Sequence, residues 1–527
     1  MMRSQKMFNM GEFICRNTSN DIALVGVNKN GDPKKYSYFD LDKYSNRAAN
    51  MLISMGIKKG DRVVVCAEKN PYLIFMIIGI LKVGAIYSPI FTSSGTESFN
   101  QKIEDCKPKI IVTQKYLLKK MQFLTKRNNH INIIIMDEDM GDVDLHYCQV
   151  LSIKELSKFD YNFEDYSTLE NDIAIIHYTS GTTSKPKGVV HIHKAIQRYK
   201  YTMREVFGLS KQDMYWCTAN HAWVTGSTYG ILGPLSIGAT TLVLEPGYRA
   251  AHILDALEKY NIKIWYTAPT LLRMLMREKD EVFEQFTNNY LKNIYCVGEP
   301  LNVETIQWVD EKFSIIPRDT WFQTETGSII IANGEKTKVK FGSMGRPLND
   351  VEVTILDDNY KPVVGNVAGN LCIKKNWESM FIDYWNNEDV YNEKFEGEWY
   401  ITGDIAYCDE DGYYWFKSRA DEIINTAGHL VSPFEVENSI IKHPLIQDVA
   451  VFGVKDSVLG EKVVAFVIMK NNTQLTNSIK MQIKRIVRQE VMPFAVPQNI
   501  TRVNEFPKTN SGKISRRTLR KMEERAN

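Results

Sequence analysis

The sequence predicts an α/β protein: a large layered amino-terminal body with a β-rich subdomain at its end, followed by a small α+β carboxyl-terminal domain. Three observations predict this. A chain of 527 residues is too long for one hydrophobic core. Short β-rich apolar runs alternate with helical stretches over the first part of the chain, the pattern of stacked sheets and helices. From about Val351 strands and turns replace that alternation, and beyond Arg419 a compact helix-and-strand set of about a hundred residues follows.

In chain order, DRVVVCA (61–67) reads as a buried strand. The run YLIFMIIGIL, from Tyr72 to Leu81, follows Pro71 and is closed by Lys82. At about ten residues it falls well short of the roughly twenty that span a bilayer, and it predicts a buried helix. Strands are predicted at KIIVTQ (109–114), NIIIMDE (132–138), DIAIIHYT (172–179), TTLVLE (240–245) and IKIWYTAP (262–269). VEVTILDD, GNLCIKK and the Gly/Asp-rich hairpin AYCDEDGYYWFKSR (406–419) make the β-rich part, about 340–418. The last set ends in an amphipathic helix, NSIKMQIKRIVRQEV. A boundary at Arg419–Glu422 then gives domains of 1–418 and 419–527.

With 44% hydrophobic and 24% charged residues, the chain falls outside the disordered and fibrous classes. The net charge of +2 supplies no strong field, so neither nucleic acid nor a membrane is an expected partner. The eight cysteines lie far apart without a CxxC, which suits reduced thiols in a cytoplasmic protein better than a metal site. The first twenty residues hold no apolar run of signal-peptide length.

The strand DIAIIHYT runs directly into SGTTSKPKG, and the carboxyl end of a strand is where α/β proteins bind ligands. Gly181 and Gly188 allow close backbone approach, the hydroxyls of Thr179, Thr182 and Thr183 offer donors, and Lys187 adds a point charge. A Walker loop requires GxxxxGK followed by Ser or Thr, whereas here Pro186 interrupts and Gly188 follows Lys187. On composition alone a phosphate-binding loop and a solvated polar turn are both open.

YTSGTTSKPKG resembles the phosphate loop of the adenylate-forming superfamily of acyl-CoA synthetases, luciferases and peptide-synthetase adenylation domains. Further segments match in order: VGEP (297–300), DTWFQTETG (319–327), YITGD (400–404) with FKSRADEIINTAGH (416–429), and PKTNSGKISRR (507–517). With WVTGSTYGILGPLSIGATT (223–241), the likeness covers most of the chain from about residue 40 and is nearest to the acetyl-CoA synthetase branch.

The resemblance implies an ATP-dependent ligase in which a carboxylate attacks the α-phosphorus, pyrophosphate leaves, and the CoA thiol then displaces AMP. ATP, Mg2+, CoA and a small carboxylic acid are the expected partners. It further implies that Thr179, Ser180, Gly181, Thr182, Thr183 and Lys187 hold the β- and γ-phosphates. Gly298, Glu299 and Pro300 match the adenine-contacting turn, and Asp319, Thr320, Trp321, Phe322 and Gln323 the segment lining adenine and acyl group. Thr324 would meet the α-phosphate and Glu325 would hold magnesium, a hard cation that takes carboxylate oxygen. Asp404 would accept the ribose hydroxyls with Arg419 in support. Lys513 would reach the substrate carboxylate and α-phosphate during adenylation. The carboxyl-terminal domain of such enzymes is mobile: Asp421 occupies the hinge position, and Gly428 would line the pantetheine tunnel after rotation.

Val224, Thr225, Val297 and Phe322 match the acyl pocket of the acetate branch, in which a tryptophan stands where this chain has Phe322. A smaller ring leaves room for a few carbons beyond acetate, so a short-chain acid, straight or branched, is expected, with acetate or a medium-chain acid as alternatives. The chain departs from the family at Leu430, where an arginine is usual, at Ser432, and at Asn220 and His221; His221 reads as a hydrogen-bonded structural residue. Two rival readings fit the same motifs: an enzyme that loads a carrier protein, and a non-catalytic nucleotide-binding homologue.

Overall fold

The computed structural model describes residues 7–16, 18–125, 131–137, 148–163, 168–179, 186–245, 250–284, 286–456, 458–509 and 513–526. The chain packs as two compact units, 1–351 with 375–395 and 352–374 with 396–527. The Arg419–Glu422 segment expected to be a boundary lies within the second unit.

The first unit holds two large sheets. One has eight strands among the described residues, in the order 383–384, 187–192, 173–179, 86–89, 62–66, 110–113, 132–135 and 150–152. From 173–179 onward neighbouring strands are parallel, and the 187–192 strand runs antiparallel to both of its neighbours. The nine-stranded sheet has a parallel centre, with 318–321, 293–297, 264–267, 214–217, 240–244 and 22–27 side by side. Parallel strands need coverage on both faces, which is why the predicted strands read as unbroken apolar runs.

The apolar run at Tyr72–Leu81 forms the buried helix Pro71–Lys82. It begins with the Asn70 side chain accepting from Leu73 N–H and with proline at its first position, where no amide is required. Lys82 is a correction to the expected polar end: it is fully buried, its ammonium 2.6 Å from Asp42 and 2.5 Å from Asn46 Oδ1 on helix Tyr38–Ser54. A buried ammonium is tolerable only when so paired. Gly79 lets the two helices approach, because a Cβ there would stand 2.7 Å from Ala48 Cβ and 2.9 Å from Ser45 O. Gly79→Ala is therefore expected to destabilise by about 1–3 kcal/mol, read as a lower urea midpoint.

The second unit contains the β-rich part, with strands 353–356, 369–374, 399–408 and 414–419, and a further sheet of 429–431, 424–426, 460–469, 446–456 and 499–502. Alternation along 446–456 and 460–469 gives the latter sheet two apolar faces. Val449, Val451, Val463, Ala465 and Val467 pack with Ile479, Ile483 and Val487 of the amphipathic helix on one face. Ala450, Phe452, Val464 and Phe466 pack with Phe506 and Leu519 on the other.

The eight cysteines form no disulfide. Burial pushes the Cys15 and Cys66 thiols up to about 12, which suits inert core residues. Among the described residues no helix is long and apolar enough to cross a membrane.

Candidate active site

In the first unit, strands Asn293–Val297 and Arg318–Trp321 are parallel neighbours with Val297 beside Thr320. From their carboxyl ends emerge the turn Gly298–Pro300 and the segment Phe322–Glu325, the edge at which open α/β sheets bind ligands. Gly298 has φ +88°, which a side chain resists. The Glu299 carboxylate pairs with Arg273 and accepts from Thr270 Oγ1 at 2.6 Å, so it braces the turn against helix Pro269–Leu275. With that carboxylate so engaged, the turn presents chiefly its backbone. Thr320 donates to Cys296 O at 2.7 Å and lies 2.8 Å from the Tyr266 hydroxyl, so its side chain is also engaged below the strand ends. Burial pushes the Asp319 carboxyl well above the usual carboxylate range; its Oδ1 accepts Thr320 N–H at 2.9 Å. Trp321 and Gln323 are half-buried.

Of the acyl-pocket candidates, Val224, Thr225 and Val297 are buried and Phe322 is half-buried. The Phe322 ring meets Tyr229 edge-on at 5.4 Å, in an apolar cluster that also contains Val297 and Cys217. Tyr229 is itself anchored, its hydroxyl 2.9 Å from Thr202 Oγ1 and accepting Ile329 N–H at 2.8 Å. His221 is buried with Nδ1 2.9 Å from the Tyr87 hydroxyl and Nε2 2.8 Å from Ala67 O, the structural role its sequence context suggested.

The turn carrying Thr324 and Glu325 closes at Gly327, whose amide donates to Thr324 O at 3.1 Å. Gly327 has φ +69°, and a Cβ there would stand 2.1 Å from Ser379 O. Residues 375–395 underpin this turn. Trp377 Nε1 donates to Thr326 O at 2.9 Å, Phe381 N to Glu325 O at 2.9 Å, and the Tyr384 hydroxyl to Glu325 Oε1 at 2.8 Å. Sequence reasoning missed this support; the aromatic positions in WESMFIDYW (377–385) are its only signal.

Thr179 and Lys187 are register partners at the ends of the antiparallel strands 173–179 and 187–192. Between them, Ser180, Gly181, Thr182 and Thr183 lie outside the described residues. Lys187 Nζ stands 5.7 Å from the centre of the Tyr384 ring. Deeper along these strands sit His177 and His191, rings 6.1 Å apart. His191 Nδ1 donates to Ser379 O at 3.1 Å, and burial lowers its pKa to about 4.

In the second unit, Asp404 and Arg419 are cross-strand partners, with Arg419 Nη1 2.6 Å from Asp404 Oδ1. Asp421 lies 3.4 Å from Arg419 Nε. Gly428 and Ala427 form the two-residue turn between strands 424–426 and 429–431, both at positive φ. Leu430 is 67% exposed. Ser432 caps helix Pro433–Ile440, its hydroxyl donating to Lys417 O at 2.5 Å and accepting Glu435 N–H at 3.2 Å. Lys513 is exposed, on a loop closed by Thr509 N donating to Lys513 O at 2.7 Å and Ser515 N to Pro507 O at 2.7 Å. Residues 510–512 lie outside the described residues. Arg516 anchors the loop's base, pairing with Glu437 at 2.8 Å and Glu422 at 3.2 Å.

Among the described residues no group of three or more His, Cys, Asp or Glu could hold a metal ion. A single half-buried carboxylate, Glu325, with one oxygen held by tyrosine fits magnesium, which is commonly shared between one or two carboxylates and substrate phosphates.

Turns leaving parallel strands at their carboxyl ends, with the Glu325 carboxylate and the Lys187 ammonium meeting one tyrosine, mark the ligand-binding edge of an α/β protein. The chain belongs to the AMP-binding enzyme family, whose pattern matches residues 12–385, with the AMP-binding enzyme C-terminal domain at 435–513. It is 36% identical over 507 residues to the acetyl-coenzyme A synthetase of Bacillus subtilis, covering 96% of this chain and 88% of that protein. The acetyl-coenzyme A synthetase of Citrobacter koseri is 34% identical over 518 residues, covering 93% and 79%. Among solved structures, the anthranilate CoA ligase AuaEII with anthranoyl-AMP superposes at a TM-score of 0.86 and 26% identity, covering 98% of this chain and 97% of that one. An acyl-CoA synthetase of Brucella canis gives 0.76 and 30%, covering 99% and 95%. The chain is thus an ATP-dependent, AMP-forming acid–CoA ligase, a type that uses ATP, magnesium and CoA.

Proposed function

We propose that this ligase activates a short-chain carboxylic acid of a few carbons beyond acetate, straight or branched, first as the acyl-adenylate and then as the CoA thioester. The observation that carries the reading is Phe322 set edge-on against an anchored Tyr229 beside buried Val297. A ring fixed in this way limits the depth of an acyl pocket without reducing it to the size of a methyl group. Val224 and Thr225 supply the remaining small wall.

In this reading Thr179, Ser180, Gly181, Thr182, Thr183 and Lys187 hold the departing pyrophosphate, and Thr324 meets the α-phosphate. The backbone of Gly298–Pro300 and the Asp319–Gln323 segment receive the base. Asp404 accepts the ribose hydroxyls beside Arg419. Glu325 holds magnesium, which when bound neutralises charge on the phosphate oxygens. Lys513 steadies the carboxylate and α-phosphate as the first bond forms, a task of positioning and electrostatics. Asp421 is the hinge about which residues 419–527 turn between the half-reactions, and Gly428 then lines the path of the thiol. Dependence on ATP and CoA, together with eight cysteines outside any disulfide, supports a cytoplasmic location.

A series of acids from two to eight carbons tests the specificity. kcat/KM is expected to peak between three and five carbons and to change by about ten- to two-hundredfold per misfitting methylene. A clear maximum at acetate or octanoate overturns the reading. Phe322→Gly should move the maximum to longer acids while leaving KM for ATP unchanged.

A further inference from the structure

Glu325 and Lys187 belong to different elements, yet both meet Tyr384. The phenol donates to Glu325 Oε1 at 2.8 Å, and the ring centre lies 5.7 Å from Lys187 Nζ. Tyr384 is 1% exposed and its backbone is held on both sides. Asp383 and Tyr384 pair as a short edge strand with Val190 and Val189, Trp385 N donates to Gly188 O at 2.7 Å, and Phe381 N donates to Glu325 O at 2.9 Å.

We propose that Tyr384 is a positioning residue that aims the Glu325 carboxylate at the magnesium of the bound nucleotide while its ring face steadies the Lys187 ammonium. The inference rests on the reading of Glu325 as metal ligand and Lys187 as phosphate cation. A phenol O–H occupies one carboxylate oxygen and fixes the torsion of the group, which leaves Oε2 for a hard cation. Hydrogen bonds from behind a ligating carboxylate commonly set metal affinity in this way. The aromatic face attracts an ammonium without taking its N–H donors from phosphate. No proton or electron is transferred, so the role is geometric.

Titration calorimetry of the full-length protein with ATP, in magnesium-containing and magnesium-free buffer and without acid, separates the two contacts. Tyr384→Phe keeps the ring and removes the hydroxyl. It is expected to weaken ATP binding about tenfold or more with magnesium and by less than about twofold without it. Tyr384→Leu removes the ring as well and should weaken magnesium-free ATP binding too. Glu325→Gln should abolish the gain in affinity that magnesium brings, and adding Tyr384→Phe to it should change nothing further. Equal weakening with and without magnesium, an unaltered magnesium gain in Tyr384→Phe, or additive losses in the double variant would each overturn the inference. If Glu325→Gln keeps the full magnesium gain, the ligand assignment fails and the inference falls with it. If Glu325→Gln loses the gain while Tyr384→Phe keeps it, only the inference fails.

Discussion

Replacing Lys513 by alanine is expected to slow acyl-adenylate formation by about 10²–10³-fold, the effect of removing one charge-stabilising donor from a transition state. Lys513 is exposed on a loop whose ends are pinned by the Thr509 to Lys513 and Ser515 to Pro507 hydrogen bonds and whose base is locked by Arg516. The loop can therefore present an ammonium from a fixed base while the side chain itself keeps its reach. The second half-reaction starts with the carboxylate and α-phosphate already bonded, so it no longer needs an ammonium that brings the two together. ATP/pyrophosphate exchange and thioester formation from supplied acyl-AMP should accordingly part company, the first lost and the second within a few-fold of the parent. Equal loss in both assays would remove Lys513 from the adenylation step and leave it a structural part of its loop.

The second large effect is on stability in acid. Burial lowers the pKa of His191, His193 and His221 from 6.5 to about 4 and that of His177 well below its ordinary value. Between pH 6.5 and 4 the unfolded chain binds protons at these rings that the folded chain refuses, so stability is complete above pH 6.5 and falls as the pH drops. Each ring shifted to about 4 contributes ~3 kcal/mol of loss by pH 4, and several together rival the ~5–15 kcal/mol that holds a domain folded. Asp319 acts in the opposite sense, since its raised pKa means that the folded state binds the extra proton as pH falls. Glu437, also raised by burial, acts with it, whereas Asp21, Asp213 and Asp456, held below their ordinary value, lose stability in acid along with the four rings. The ligand-free protein should thus unfold in the pH 4–6 range, seen as a steep drop of Tm from pH 7 downward; a flat Tm over that range contradicts the account. Both ring nitrogens of His177 lack a hydrogen-bond partner among the described residues, so His177→Leu should raise Tm, more at pH 5 than at pH 7.

The parallel strands and their loops were legible in sequence because burial on both faces writes continuous apolar runs, and because glycine-rich turns mark strand ends. Other features depend on partners distant in the chain. Lys82 reads as the end of an apolar helix, and only Asp42 and Asn46 on another helix explain its burial. Glu299 reads as part of a turn motif, and only Arg273 and Thr270, some thirty residues earlier, show what holds its carboxylate. The 375–395 segment looks like a continuation of the β-rich part, whereas it packs with the first unit because a two-residue strand completes the edge beside 187–192. Two residues carry no periodicity, so no pattern could reveal this.

Lys187 is the register partner of Thr179 and sits on a strand, not within the loop that precedes it. Its charge is therefore placed by sheet pairing. Engineering should exploit the distinction: single insertions at 181–185 would leave Val189 paired with His177 and Lys187 on its own face, whereas deleting one residue from 188–192 would turn Lys187 to the opposite side of the sheet.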